Sequence, residues 1–222
     1  MLEVWLVRHG KTAGNLLGRY IGTTDEPLCP EGAAALREKS CEAPEVVYAS
    51  PMKRCLETAG ILWPNVPVVQ EEDLRECDFG SFENKSYREL NGDPDYQAWI
   101  DSNGTLAFPG GESPEEFKAR VQRAFFGILE EAGRKGYRRI ALAVHGGTIM
   151  AIMEKWGTPP GEYYRWQVKN GEGYVLRFEM GRCTCRNIMT PSAAWRWPCA
   201  RRCAFRSTAA KAQPLPSAGW RP

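Results

Sequence analysis

The chain sorts into short apolar runs and longer stretches whose apolar residues repeat at helical spacing. Residues 2–7 (Leu-Glu-Val-Trp-Leu-Val) form a first apolar run that stops at Arg8, His9 and Gly10. A run of this length reads as a buried strand. Residues 30–39 read as a helix, with Pro30 and Glu31 near its start. Val46–Ala49 reads as a second buried strand, and Ser50 and Pro51 read as the N-cap and first turn of a helix to about Leu62. Residues 66–69 suggest a third strand. Residues 73–113 look irregular, with room for two short helices. Ser113, Pro114, Glu115 and Glu116 then open the clearest helix: Phe117, Val121, Ala124, Phe125, Ile128 and Leu129 fall on one face, and Gly133 lies near its end. Arg139–Val144 is the next strand and stops at His145. A helix over 148–156 and a last strand over 174–179 complete the series. Alternating strands and helices predict an α/β fold, a three-layer α/β/α sandwich with a mostly parallel central sheet.

Composition divides the chain. The net charge of +2 over 222 residues hides a split: residues 181–222 hold eight basic residues and no acidic one, so residues 1–180 carry a net charge of −6. Residues 1–180 are expected to form the domain. Residues 181–222, rich in Cys, Trp, Pro and Arg without a period, are expected to be a poorly ordered tail. An acidic body without a recognisable motif argues against nucleic-acid binding. No stretch approaches the length of a membrane span, and the first apolar run is too short for a signal-peptide core, so the expected location is the cytosol. Cys29, Cys41, Cys55 and Cys77 are scattered and are expected to be free thiols. The tail cysteines, Cys183, Cys185, Cys199 and Cys203, have no usual zinc spacing and no histidine beside them, so no metal site is expected.

The candidate chemistry lies at two strand ends. His9 and His145 are the only histidines in the chain; each directly follows a predicted strand, and each is followed by glycine. The C-terminal ends of neighbouring parallel strands lie side by side, so the two imidazoles are expected in one pocket. Gly10 and Gly146 would allow close backbone approach, and helix N-termini would favour an anion there.

Residues 6–12 (Leu-Val-Arg-His-Gly-Lys-Thr) resemble the signature of the histidine phosphatase superfamily, which includes the phosphoglycerate mutases. The resemblance continues in order through Asn15, Gly22–Asp25, Ser50 with Arg54 and Thr58, Leu74–Glu76 with Asp78–Gly80, Gly110–Ser113 and Val144–Gly146. It covers about residues 1–180 and implies a phosphoglycerate mutase-like fold. It also implies a phosphomonoesterase working through a phosphohistidine. His9 would be the nucleophile, its free ring nitrogen set by a hydrogen bond from the other to a carbonyl. Arg8 and Arg54 would fork onto phosphate oxygens, and His145, protonated when phosphate is bound, would add a donor. Asn15, Gly22 and Gly146 would complete the phosphate cradle. Glu76 would protonate the leaving oxygen and then activate water. No cofactor and no metal enter this chemistry.

Softer features, including residues 18–28, Trp99, Phe108–Ser113 and residues 166–171, resemble the α-ribazole phosphatases of cobalamin biosynthesis. Broad-specificity and sugar-phosphate phosphatases of the same superfamily remain an alternative, as does a phosphoglycerate mutase. A different class is a catalytically silent domain that binds phosphate or a partner. Lys11 departs from the family, where Glu is frequent. The expected partner is a small-molecule phosphate ester, whose remaining half is expected against residues 80–110; the sequence does not bear on oligomeric state.

Overall fold

Residues 1–39, 41–179 and, as backbone, 182–188 are described by a computed structural model. The strands are β1 (Leu2–Arg8), β2 (Val46–Ala49), β3 (Val68–Gln70), β4 (Arg139–Val144), β5 (Gly173–Glu179) and β6 (Arg182–Ile188). The helices are α1 (Ala13–Leu16), α2 (Pro30–Arg37), α3 (Lys53–Leu62), α4 (Pro94–Asp101), α5 (Pro114–Lys135) and α6 (Gly146–Trp156). One sheet runs in the order β3-β2-β4-β1-β5-β6. The first four strands in that order are mutually parallel; β5 runs antiparallel to β1, and β6 antiparallel to β5. The mostly parallel α/β sandwich read from the sequence is the fold observed.

Alternation along each strand divides the core into two layers. Val4 and Leu6 of β1 join Ile140, Leu142 and Val144 of β4 under α5 and α6, while Trp5, Val7, Ala141 and Ala143 face α3. Helix α5 buries Phe117, Val121, Phe125 and Ile128 in the first layer. Each such side chain contributes about 1.5–3 kcal/mol on burial. Its start is fixed by a reciprocal capping box between Ser113 and Glu116, and its end by Gly136 at φ 69°.

Three expectations need correction. Helix α3 begins at Lys53, and its N-cap position, Met52, makes no side-chain bond; Ser50 is not a cap, because its hydroxyl is committed to His145 at 2.8 Å. Helix α6 begins at Gly146, not at Thr148, so His145 is its N-cap residue. The sheet also runs past the boundary drawn at residue 180, because β6 pairs with β5 along all seven of its residues. An edge strand draws its hydrogen bonds from its neighbour's backbone, and composition alone does not register that. The rest of the tail, 189–222, lies outside the described residues.

Candidate active site

The parallel register of β1 and β4 sets the site. Arg8 pairs with Val144, so His9 and His145 leave the sheet side by side, and the His9 amide donates to the Val144 carbonyl at 2.9 Å. Their rings meet edge to face with centroids 5.3 Å apart. On the other side of β4, the Ser50 amide donates to Ala143, which places the Ser50 hydroxyl at His145 Nε2.

His9 is buried, with Nδ1 2.7 Å from the Gly10 carbonyl. A carbonyl only accepts, so Nδ1 carries the hydrogen and Nε2 keeps its lone pair. Burial, followed by the charges of Arg54 and Arg8, holds the His9 pKa well below the ordinary imidazole value; the Gly10 carbonyl opposes this. The ring is therefore neutral at neutral pH. Its turn is fixed from both sides. Thr58 accepts from the Gly10 amide at 3.0 Å, and Asn170 and Gly171 donate to the His9 carbonyl at 3.1 Å each.

Arg54 is fully buried. Its Nε donates to His145 Nδ1 at 3.3 Å, Nη1 to Thr24 O at 2.7 Å and Nη2 to Gly22 O at 2.8 Å. With Nδ1 accepting, His145 carries its hydrogen on Nε2 and gives it to Ser50. Burial and then the neighbouring cation Arg54 lower the His145 pKa well below the ordinary value. These contacts hold His145 in the neutral form, with Nδ1 accepting from Arg54. Arg8 donates through Nη1 to Val168 O at 2.8 Å, while its buried Nε has no partner.

Glu76 meets the N-terminus of α6. Its Oε2 accepts from the Gly147 amide at 2.9 Å and its Oε1 from the Cys77 amide at 3.1 Å. A Cβ on residue 147 would lie 2.3 Å from Oε1, so the approach requires glycine. Desolvation raises the Glu76 pKa, and it prevails over the two amides and the charges of Arg8 and Arg54, which act in the opposite direction. Arg120 of α5 holds this segment in place. It forks onto Glu112 at 2.7 and 2.8 Å and donates to the carbonyls of Asp73, Arg75 and Glu76 at 2.9–3.2 Å.

Arg8, Glu76, Asn15 and Gly146 line one cleft of about 660 Å³. Arg8 and Glu76 lie in its lining, and the buried cluster of His9, His145 and Arg54 adjoins them; together they are a set suited to holding and transferring an anionic group. A sequence profile of the histidine phosphatase superfamily (branch 1) matches residues 4–190. The chain belongs to that superfamily. Phosphoserine phosphatase 1 of Hydrogenobacter thermophilus is 30% identical over 192 residues, 82% of this chain and 89% of that protein. The adenosylcobalamin/α-ribazole phosphatase of Salmonella typhimurium is 26% identical over 204 residues, 88% of this chain and 99% of that protein. The crystal structure of the α-ribazole phosphatase from Shigella flexneri matches with a TM-score of 0.72 at 26% identity, over 84% of this chain and 95% of that one. The chain is an enzyme of the phosphatase kind.

The structure of this histidine phosphatase brings together His9, His145, Arg8, Arg54 and Glu76; of the residues expected to complete the cradle, Asn15 and Gly146 line the cleft and Gly22 does not. The Gly22 amide does not face the cleft: together with the Thr24 amide, it donates to Glu83 Oε1, at 2.8 and 2.9 Å. Asn15 closes the capping box of α1 with Thr12, and its Oδ1 accepts from Asn170 at 3.0 Å. None of residues 80–110, where the rest of the substrate is expected, lines this cleft. Phe82, Leu90, Trp99 and Phe108 of that segment are buried with Tyr20 and Phe79 in the core. The cleft beyond Glu76 is lined by Lys11, Asn15 and Leu16 on one side and by Gln167, Val168, Lys169, Asn170 and Glu172 on the other. Sequence reasoning missed Asn170, Gly147 and Arg120, and it gave Ser50 and Thr58 no role of their own at the site. Of these, Ser50, Thr58, Asn170 and Gly147 sat inside or beside quoted motifs, whereas Arg120 carried no local signal.

Proposed function

We propose that this phosphatase hydrolyses small phosphomonoesters through a phosphohistidine at Nε2 of His9. The observation that carries this reading is the 2.7 Å contact between His9 Nδ1 and Gly10 O, which leaves Nε2 unprotonated in a buried, cation-lined site. The Nε2 lone pair attacks phosphorus as the ester P–O bond breaks. Protonated Glu76 gives its proton to the departing alkoxide. Arg8 Nε and the uncommitted N–H groups of Arg54 meet charge on the transferring oxygens. A phosphate ester that enters as the monoanion passes its proton to His145 Nδ1, which then donates to the phosphate dianion instead of accepting from Arg54. In the second half, ionised Glu76 takes a proton from water, the water oxygen attacks phosphorus, and the P–N bond breaks. Free phosphate and neutral His9 result.

The proposed location is the cytosol, where thiols such as Cys29, Cys55 and Cys77 stay reduced. Among the described residues, no helix is long and apolar enough to cross a membrane. The test is phosphate release from a panel that includes p-nitrophenyl phosphate, phosphoserine and α-ribazole 5′-phosphate, with the H9A variant as control. Turnover of at least one ester by the native chain, lost in H9A, is expected. No turnover of any ester by the native chain, or undiminished turnover by H9A, would overturn the reading.

A further inference from the structure

Two backbone carbonyls hold the outer arms of the buried Arg54 guanidinium: Thr24 O accepts from Nη1 at 2.7 Å and Gly22 O from Nη2 at 2.8 Å. Residues 21–24 belong to no helix or strand, so no regular backbone ladder aims these carbonyls. Glu83 does so instead. Its Oε1 accepts from the amides of the same two residues, Gly22 at 2.8 Å and Thr24 at 2.9 Å. The loop is thus gripped on its N–H groups by a carboxyl and on its C=O groups by a guanidinium.

The backbone that carries Glu83 is tied down on both sides. Phe82 before it is fully buried; after it, the Asn84 amide donates to Tyr20 O at 2.8 Å and the Tyr20 amide donates to Lys85 O at 3.0 Å. Glu83 Oε2 is buried without a hydrogen bond. Burying that oxygen unpaired costs stability, and what the other oxygen secures in return is the orientation of the loop that holds Arg54. Resting on the phosphatase reading of this site, we infer that Glu83 is a positioning residue of the reaction: by holding the amides of Gly22 and Thr24 it aims their carbonyls at Arg54, and so sets the guanidinium against the transferring phosphoryl group. Arg54 meets charge that grows on the phosphoryl oxygens in the transition state, an interaction that weakens steeply when the donor is misplaced. Glu83 acts only through Arg54. Its loss should therefore fall alike on aryl and alkyl esters, because Arg54 serves the phosphoryl group and not the leaving group, and should vanish once Arg54 has lost its fork.

A double-substitution cycle tests this. It is read as kcat on p-nitrophenyl phosphate and as affinity for orthovanadate, which adopts the five-coordinate geometry of a phosphoryl group in transfer and binds without turnover. E83A should lower both by about 10–10²-fold. E83Q keeps an acceptor oxygen for the two amides and should recover most of the loss. R54K keeps the charge and gives up the planar fork; in R54K protein, E83A should cost less than about threefold further. If circular dichroism shows that E83A does not fold, E83D takes its place: it draws the carboxyl back from the amides by one methylene and should fall below E83Q. Native values in E83A, or the same fold-loss in R54K protein as in the native chain, would overturn the inference and leave Glu83 a support of the fold. If vanadate binding shows the coupling but the native chain releases phosphate from no ester, the hydrolytic reading fails and the positioning of Arg54 by Glu83 stands.

Discussion

Arg54 Nε donates to His145 Nδ1 across 3.3 Å, joining the first turn of α3 to the end of β4. The bond commits His145 to the neutral form with Nε2–H on Ser50, and the Arg54 charge next to it opposes protonation of either histidine. Burial first, and then the Arg54 charge, hold both imidazoles well below the ordinary value, while burial holds Glu76 above the ordinary carboxylate value. The first prediction concerns pH. The reaction needs His9 unprotonated and Glu76 protonated in the free enzyme, so kcat/KM for an alkyl phosphate should peak on the acid side of neutrality. The acid limb comes from His9, and the alkaline limb from ionisation of Glu76. In E76Q the alkaline limb should vanish and alkyl phosphates should slow by about 10²–10⁴-fold, with aryl phosphates much less affected because an aryl oxide leaves unaided. An alkaline limb that persists in E76Q would assign it to another group.

The second prediction concerns Arg120. Its fork on Glu112 and its bonds to three carbonyls around Glu76 fix the carboxyl against the α6 N-terminus. R120K keeps the charge and loses the planar fork. It should lower kcat on alkyl phosphates by roughly tenfold through misplacement of Glu76, with KM less changed and p-nitrophenyl phosphate nearly spared. Steady-state kinetics on the two substrate types checks this; a uniform loss would mean that Arg120 only supports the fold.

The third prediction follows from β6. A chain ending at residue 190 retains the strand, whereas a chain ending at residue 181 exposes the edge of β5. The first should match the full chain in melting temperature and specific activity. The second should melt lower, because every pairing between β5 and β6 is lost. Thermal melts of the two truncations decide the point; equal melts would make β6 dispensable.

A fourth prediction separates hydrolysis from isomerisation. A mutase must keep water from its phosphohistidine, which calls for a closing lid. Glu76 and Glu112 are 36 positions apart, and much of the segment between them is anchored in the core by Phe82, Leu90, Trp99 and Phe108. That leaves a fixed wall and little chain to close over the cleft. With 3-phosphoglycerate and catalytic 2,3-bisphosphoglycerate, free phosphate should exceed 2-phosphoglycerate. Efficient isomerisation without phosphate release would reverse this.

Much of the site was legible because its residues sit where elements end. Arg8–Gly10 and His145–Gly146 each follow an apolar run, and parallel strands bring such ends together. Helix α5 was legible from its capping residues and its apolar face. What stayed hidden depends on partners distant in sequence. Ser50 looks like a helix cap until β4 places His145 against it, 95 positions away. Thr58 reaches Gly10 across 48 positions and Arg120 reaches Glu76 across 44, so neither leaves a local pattern. Glu83 took the amides of Gly22 and Thr24 because its loop folds back onto them from 61 and 59 positions away. The edge strand β6 was hidden for a different reason: its sequence is largely polar, and it is its backbone pairing with β5 that marks it as a strand.

The central claim is that phosphate resides on His9 during turnover. Rapid mixing of the native enzyme with a ³²P-labelled substrate and quenching in base should trap label on protein, stable to alkali and lost in acid. Peptide mapping should place it on the fragment containing His9, and H9A protein should trap none. Alkali-stable label on the fragment containing His145, or label undiminished in H9A, would contradict the account.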